Sequence, residues 1–368
     1  MRQLEAFTNC HIHTFTHDHT PDRFVPPPLN WLLRLDWFRK AALGLIDRLD
    51  PKRRGRISRY AEIVERSYGK DQAALFKQVQ GFYPERTRFV VLPMDMALMG
   101  LGRVKKSIDD QHDELLRLAS GQPDLLIPFA AVDPRHDQIV EKTKERLAQG
   151  FAGMKLYPPI GYHPFDRRLW PLYEWANGLD EPPPVLSHCS RPASVQFHGR
   201  PTRQMQTDPE TGQVGRRTRE ELLTWFTDPD SYKTLLTNYP RLRLCLAHFG
   251  GAGDWDRYLD HPWDTRSSDP ADKSWLSKIA DMIRSGDHPN LWTDISYTLF
   301  ADDEFVYLLK TLLTDDRILA RTLFGSDFYV VESARLEERR RAIRIRAVLG
   351  EELFRQIAVD NPRDFLGR

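Results

Sequence analysis

The sequence predicts a (β/α)8 barrel of the TIM type, and three observations carry that prediction. Eight short apolar segments recur along the 368 residues; their runs are near-continuous rather than alternating, as strands covered on both faces require. Amphipathic stretches separate them, so strand and helix alternate and the sheet is parallel. Several of the segments end in an ionisable residue, and in a closed parallel barrel those ends converge on one mouth. An open doubly wound sheet is the competing architecture. It would place a glycine-rich phosphate turn after its first strand, where this chain has His11-Ile12-His13.

In order, the expected strands occupy residues 4–13, 88–94, 125–132, 151–157, 184–188, 242–248, 291–296 and 322–327. Between the third and fourth, residues 138–149 place Ile139, Val140, Thr143 and Leu147 on one side of a helix that stops at Gly150. Residues 169–177, 273–285, 303–313 and 333–349 follow the same pattern. Two connections exceed the ordinary length. Residues 14–87 hold Pro26-Pro27-Pro28, expected helices over 29–49 and 57–80, and the basic run Lys52-Arg53-Arg54, read as a solvated connection. Residues 189–241 include an arginine- and glycine-rich piece over 200–219. Connections this long serve as lids or substrate-binding elements. Both follow carboxyl ends of strands, and no domain boundary separates them from the barrel, so a single domain over 1–368 is expected.

Lysine and arginine total 53 against 52 acids, a net charge of +1. That balance gives no field for nucleic acid or a membrane surface. Three scattered cysteines, Cys10, Cys189 and Cys245, read as reduced thiols in a cytoplasmic protein. No stretch approaches the ~18 apolar residues of a membrane span. With a ligand pair starting at residue 11, no cleaved leader is expected.

The strand ends hold the chemistry. His11 and His13 lie two apart on one strand, so both imidazoles face one side, which is half of a metal site. The fourth strand ends near Lys155 and Tyr157, the fifth at His188, the sixth at His248, the seventh at Asp294 and the eighth at Asp327. Unpaired burial of such groups costs several kcal/mol, and a metal ion is the simplest shared partner. Asp294 reads either as a contact of His248 or as a cap of the next turn. Arg191 is placed to clamp a carboxylate bidentately, with solvated loop arginine as the alternative; Tyr157 and His163 flank the fourth-strand loop as pocket residues. His17 and His19 read as surface histidines of a lid, and Gly250-Gly251 as a tight turn letting backbone approach the site.

In order, His11-x-His13, the 153–158 stretch, Ser187-His188, Ala247-His248-Phe249-Gly250-Gly251, Gly325-Ser326-Asp327 and the closing Asp360-Asn361-Pro362-Arg363-Asp364-Phe365-Leu366-Gly367 resemble the amidohydrolase superfamily. The closest likeness is to its amidohydrolase-related (amidohydrolase 2) branch of lactone hydrolases and aromatic-acid decarboxylases. The resemblance implies one divalent ion, Zn²⁺ first and Mn²⁺ or Fe²⁺ as alternatives, on His11, His13, His188 and Asp327. It implies Asp327 as the acid–base that activates water and His248 as the residue orienting it. Lys155 would contact a substrate anion, or be carboxylated to bridge a second ion, or form a salt bridge at the mouth. The expected activity is hydrolysis of an amide, lactone or ester in a small carboxylated molecule. Nonoxidative decarboxylation is the first alternative and a noncatalytic metal- or ligand-binding barrel the second. Members of the branch are often dimers, so a homodimer is expected.

Overall fold

In the computed structural model, residues 7–24, 63, 65–191, 195–261, 273–333 and 337–367 are described. The expected helix over 29–49, the proline run and the basic run lie outside the described residues.

Eight parallel strands form one sheet in sequence order. They are β1 (Thr8–Ile12), β2 (Arg88–Val91), β3 (Leu126–Val132), β4 (Gly153–Leu156), β5 (Val185–Ser187), β6 (Leu244–Leu246), β7 (Leu291–Asp294) and β8 (Thr322–Leu323). Each falls within its expected segment. The sequential order removes the doubly wound alternative, whose order reverses at a switch point. Strand residues Cys10, Val90, Phe129, Leu186, Cys245, Trp292 and Leu323 fill the interior, closed below by Phe365 and Leu366. A larger apolar cluster packs the outer faces of the strands against the helices.

The seam between β8 and β1 has no regular ladder. It is closed by the Ile12–Phe328 bridge and by backbone bonds from Cys10 N–H to the Phe324 carbonyl (2.8 Å) and from Asp327 N–H to the His11 carbonyl (2.8 Å). Gly325 permits this approach: a Cβ there would stand 2.8 Å from His11 Cβ and 3.2 Å from Ser296 Cβ.

Helices sit where the periodicity places them, at Ile139–Ala148, Trp170–Gly178, Trp275–Ser285, Glu304–Leu312 and Glu338–Leu349. Two departures have physical causes. The expected helix over 57–80 is interrupted, because Gly69 adopts φ +68° and a new helix Gln72–Gln80 starts on the Asp71 cap. A helix at Ile108–Gly121 was not anticipated, although the reciprocal cap between Ser107 and Asp110 marks its start in the sequence.

The segment after β1 is not a loose lid. The Asp18 carbonyl accepts the backbone N–H groups of Lys105 and Lys106 at 3.1 and 2.9 Å. His19, expected at the surface, is buried, with Nδ1 accepting Thr16 N–H at 2.9 Å. His17 is half-buried, its ring 4.9 Å from that of Tyr68.

Candidate metal centre

His11, His13, Lys155, His188, His248, Asp294 and Asp327 are all buried at the carboxyl ends of their strands. Their hydrogen bonds fix which ring nitrogens carry protons. The Asp294 carboxylate only accepts, so His11 Nδ1–H donates to Oδ2 at 2.9 Å. The Leu92 carbonyl likewise fixes His13 Nδ1–H at 2.8 Å. Both rings therefore turn an Nε2 lone pair inward. His13 Nε2 lies 3.1 Å and His11 Nε2 3.6 Å from Asp327 Oδ1. Neither His11 Nε2 nor Asp327 Oδ1 has a hydrogen-bond partner among the described residues. Three electron-pair donors thus converge with no proton between them, an arrangement that a cation relieves. His11, His13 and Asp327 form one of two groups among the described residues whose candidate ligand atoms lie within 4.8 Å of one another. The other, His11, His248 and Asp294, is explained by hydrogen bonding.

Asp294 anchors this arrangement. Its Oδ1 accepts the backbone N–H groups of His248 at 3.0 Å and Ser296 at 2.9 Å, and the Ser296 hydroxyl donates to it. Both sequence readings of Asp294, contact to His248 and turn cap, therefore hold together; its contact with His11 was not foreseen. His248 Nδ1–H donates to the Ser296 carbonyl at 3.1 Å, leaving Nε2 to accept from His188 Nδ1–H at 3.1 Å. His188 Nε2 then accepts from the Ser190 hydroxyl at 3.0 Å. His188 reaches the mouth but stands outside the compact His11–His13–Asp327 group, with both nitrogens engaged. Asp327 and His248 adopt φ of +65° and +67°, a region costly for residues other than glycine.

Burial, and then the Lys155 ammonium, push His11 down to about 3. Burial and neighbouring imidazoles hold His188 well below the ordinary histidine range, and burial lowers His248 too. These three imidazoles are therefore neutral at pH 7, as a metal ligand must be. For Asp327 burial acts upward, but the contact with His13 and the neighbouring His11, His13 and His248 rings outweigh it and hold the carboxyl below its ordinary range. Lys155 Nζ has no hydrogen-bond partner among the described residues and stands 5.9 Å from the Tyr157 ring centroid. Burial lowers it to about 8, opposed by Asp294 and Asp327.

Of the pocket residues, Tyr157 lies beside the centre, its ring 4.7 Å from that of His188. Arg191 is one-third exposed; its Nε–H donates to Asp254 at 3.1 Å and its guanidinium covers Trp275 at 4.3 Å. Gly250 and Gly251 make the expected tight turn, at φ +88° and +90°. His163 is not brought to this mouth. Its ring stacks 4.4 Å from Trp225 and lines a separate cavity of about 590 Å³ with Asp208, Glu210, Glu220 and Asp228.

Comparison with known proteins follows the same lines. The amidohydrolase family model matches residues 8–368. The chain belongs to the amidohydrolase family. It is an enzyme of that type, and the noncatalytic alternative falls away. No curated protein matches it. Among solved structures it is similar to a protein described as a probable 2-pyrone-4,6-dicarboxylic acid hydrolase from Acinetobacter baumannii (13% identity, TM-score 0.56, 99% of this chain and 100% of that one). It also resembles a dihydroxybenzoic acid decarboxylase from Polaromonas sp. JS666 with bound manganese (15%, 0.53, 99% and 97%). A third is 5-carboxyvanillate decarboxylase from Novosphingobium aromaticivorans, also with manganese (14%, 0.55, 100% and 97%). At these identities the likeness is one of fold. Among the described residues no helix is long and apolar enough to cross a membrane.

Proposed function

We propose that this amidohydrolase is a metal-dependent hydrolase of an amide, lactone or ester bond in a small carboxylated molecule. The observation that carries the metal is the convergence of His11 Nε2, His13 Nε2 and Asp327 Oδ1 without a proton between them. His188 is the fourth proposed ligand, through Nε2 once the Ser190 hydroxyl turns away. A divalent ion there supplies Lewis-acid polarisation of a substrate oxygen and activation of water near neutral pH. Three imidazoles and a carboxylate suit Zn²⁺, with Mn²⁺ and Fe²⁺ as the alternatives.

Around that ion the chain's own groups divide the work. Ionised Asp327 takes the proton of the attacking water and returns it to the leaving group. His248, fixed by Ser296 and Asp294, orients the reacting oxygen. Lys155 holds its ammonium desolvated and faces a substrate carboxylate; this favours contact over a carboxylated bridge. Arg191, set by Asp254 and Trp275, is the proposed second contact for that carboxylate, and Tyr157 closes the pocket wall. The enzyme is proposed to work as a homodimer in the cytoplasm. Three free, buried cysteines support a reducing compartment.

Metal content per chain, measured by mass spectrometry beside the His11→Ala/His13→Ala double variant, tests the centre. One ion lost in the variant supports it; none in wild type after Zn²⁺ and Mn²⁺ supply sinks it. Decarboxylation is the second reading, motivated by the two manganese decarboxylases of the same fold. Turnover in H₂¹⁸O separates the two, because hydrolysis puts label into a new carboxylate and decarboxylation does not.

A further inference from the structure

Behind the metal centre lies a buried polar chain that crosses the seam where the barrel lacks a ladder. Asn9, two residues before His11, spans the seam with both ends of its amide. Its Nδ2–H donates to Ser326 Oγ at 2.9 Å, and its Oδ1 accepts the backbone N–H groups of Ser326 (3.1 Å) and His11 (3.3 Å). Ser326, next to Asp327, also accepts Phe328 N–H at 3.2 Å and donates its own hydroxyl to Glu338 Oε1 at 2.7 Å. Glu338 opens the Glu338–Leu349 helix and is 0% exposed; Tyr83 O–H donates to the same oxygen at 2.8 Å. A wholly buried carboxyl is retained only where it is held by hydrogen bonds, and here one of those bonds comes from Ser326, the neighbour of Asp327.

We infer that Asn9, Ser326 and Glu338 are positioning residues, forming a latch that sets the spacing between the β1 histidines and Asp327. Their place in the chain carries the inference. Elsewhere adjacent strands are held in register by ladders, but β8 is two residues long and, among the described residues, its ladder is with β7. His11 and His13 therefore face Asp327 across a junction that separate backbone bonds close, Asp327 N–H to the His11 carbonyl among them, and the side-chain bonds of Asn9 and Ser326 reinforce that junction. Buried side-chain hydrogen bonds across such a junction favour one spacing of its two sides, and removing one member leaves a buried partner group unpaired. The metal-binding consequence rests on the proposed metal centre; the seam-ordering consequence does not.

The test uses Ser326→Ala and Glu338→Ala in the full-length protein, with Leu309→Ala as a control. Leu309 is fully buried in the Glu304–Leu312 helix, outside the latch. Zn²⁺ affinity is measured by chelator competition well below every melting temperature, and amide hydrogen exchange at Asp327 and His13 is measured without metal. The expected result is at least a tenfold loss of affinity and tenfold faster exchange at both amides for Ser326→Ala and Glu338→Ala. The control should lose stability without either change. Unchanged exchange in Ser326→Ala overturns the latch, as does an equal loss in the control. If wild type binds no Zn²⁺, the metal centre fails while the exchange data still decide the latch.

Discussion

Replacing Asp294 by Asn should weaken metal binding although Asp294 is not among the proposed ligands. Its two oxygens serve different partners. Oδ2 accepts His11 Nδ1–H at 2.9 Å, and Oδ1 accepts the backbone N–H groups of His248 and Ser296 at 3.0 and 2.9 Å. An amide has one oxygen and one NH₂, so both jobs cannot be kept. If the oxygen stays with the two backbone groups, the NH₂ meets His11 Nδ1–H. That ring must then shift its proton to Nε2, which removes the lone pair offered to the ion. If the amide turns over, the NH₂ faces two backbone donors with nowhere else to bond. Loss of a carboxylate behind a ligating histidine costs about 10- to 100-fold in metal affinity, or about 1.4–2.7 kcal/mol. Competition for Zn²⁺ or Mn²⁺ against a chromophoric chelator gives the constant, ¹⁵N shifts of His11 report the tautomer, and circular dichroism checks the fold. Affinity within twofold of wild type with the His11 tautomer unchanged would refute the reasoning.

Three further outcomes are expected. Lys155 has a folded value of about 8, below its ordinary 10.5. The unfolded chain therefore keeps a proton that the folded chain releases between those values, and stability of the metal-free protein should rise with pH there. At roughly 1.4 kcal/mol per pKa unit the full rise is about 3 kcal/mol; urea titrations at pH 7.5 and 10 should show about 2 kcal/mol of it in wild type and not in Lys155→Met. Gly325→Ala forces a methyl to 2.8 Å from His11 Cβ, so thermal unfolding should show a loss of about 1–3 kcal/mol and chelator competition weaker metal binding; wild-type values for both would mean the seam yields freely. Arg191→Ala should raise KM for a carboxylated substrate about tenfold or more while kcat changes little, the pattern of lost ground-state binding. A lower melting temperature with KM unmoved would confine Arg191 to holding Asp254.

The fold was legible because its signals are local. A buried parallel strand must be apolar on both faces, so segments such as 242–248 and 291–296 stand out from the amphipathic helices between them. Candidate site residues were legible for a related reason: a histidine or aspartate ending an apolar run has no solvent to turn to, and parallel topology sends all such ends to one mouth. Boundaries were less legible where one residue's backbone decides. Gly69 breaks the expected helix over 57–80 by adopting φ +68°, and His19 is buried by the pairing of Asp18 with Lys105 and Lys106.

What the sequence by itself determined was the eight-stranded barrel, its two long connections and the set of ionisable residues at its mouth, because each depends on the character of a few adjacent residues. The tertiary structure alone decided how that set divides. It drew His11, His13 and Asp327 together, paired His188 with His248 and Ser190, gave Asp294 to His11, left Lys155 without a hydrogen bond among the described residues and carried His163 to another cavity. Those assignments depend on distances between residues up to 317 positions apart, as between Asn9 and Ser326. They follow from hydrogen-bond angles and proton positions that exist only once the strands have closed around one another.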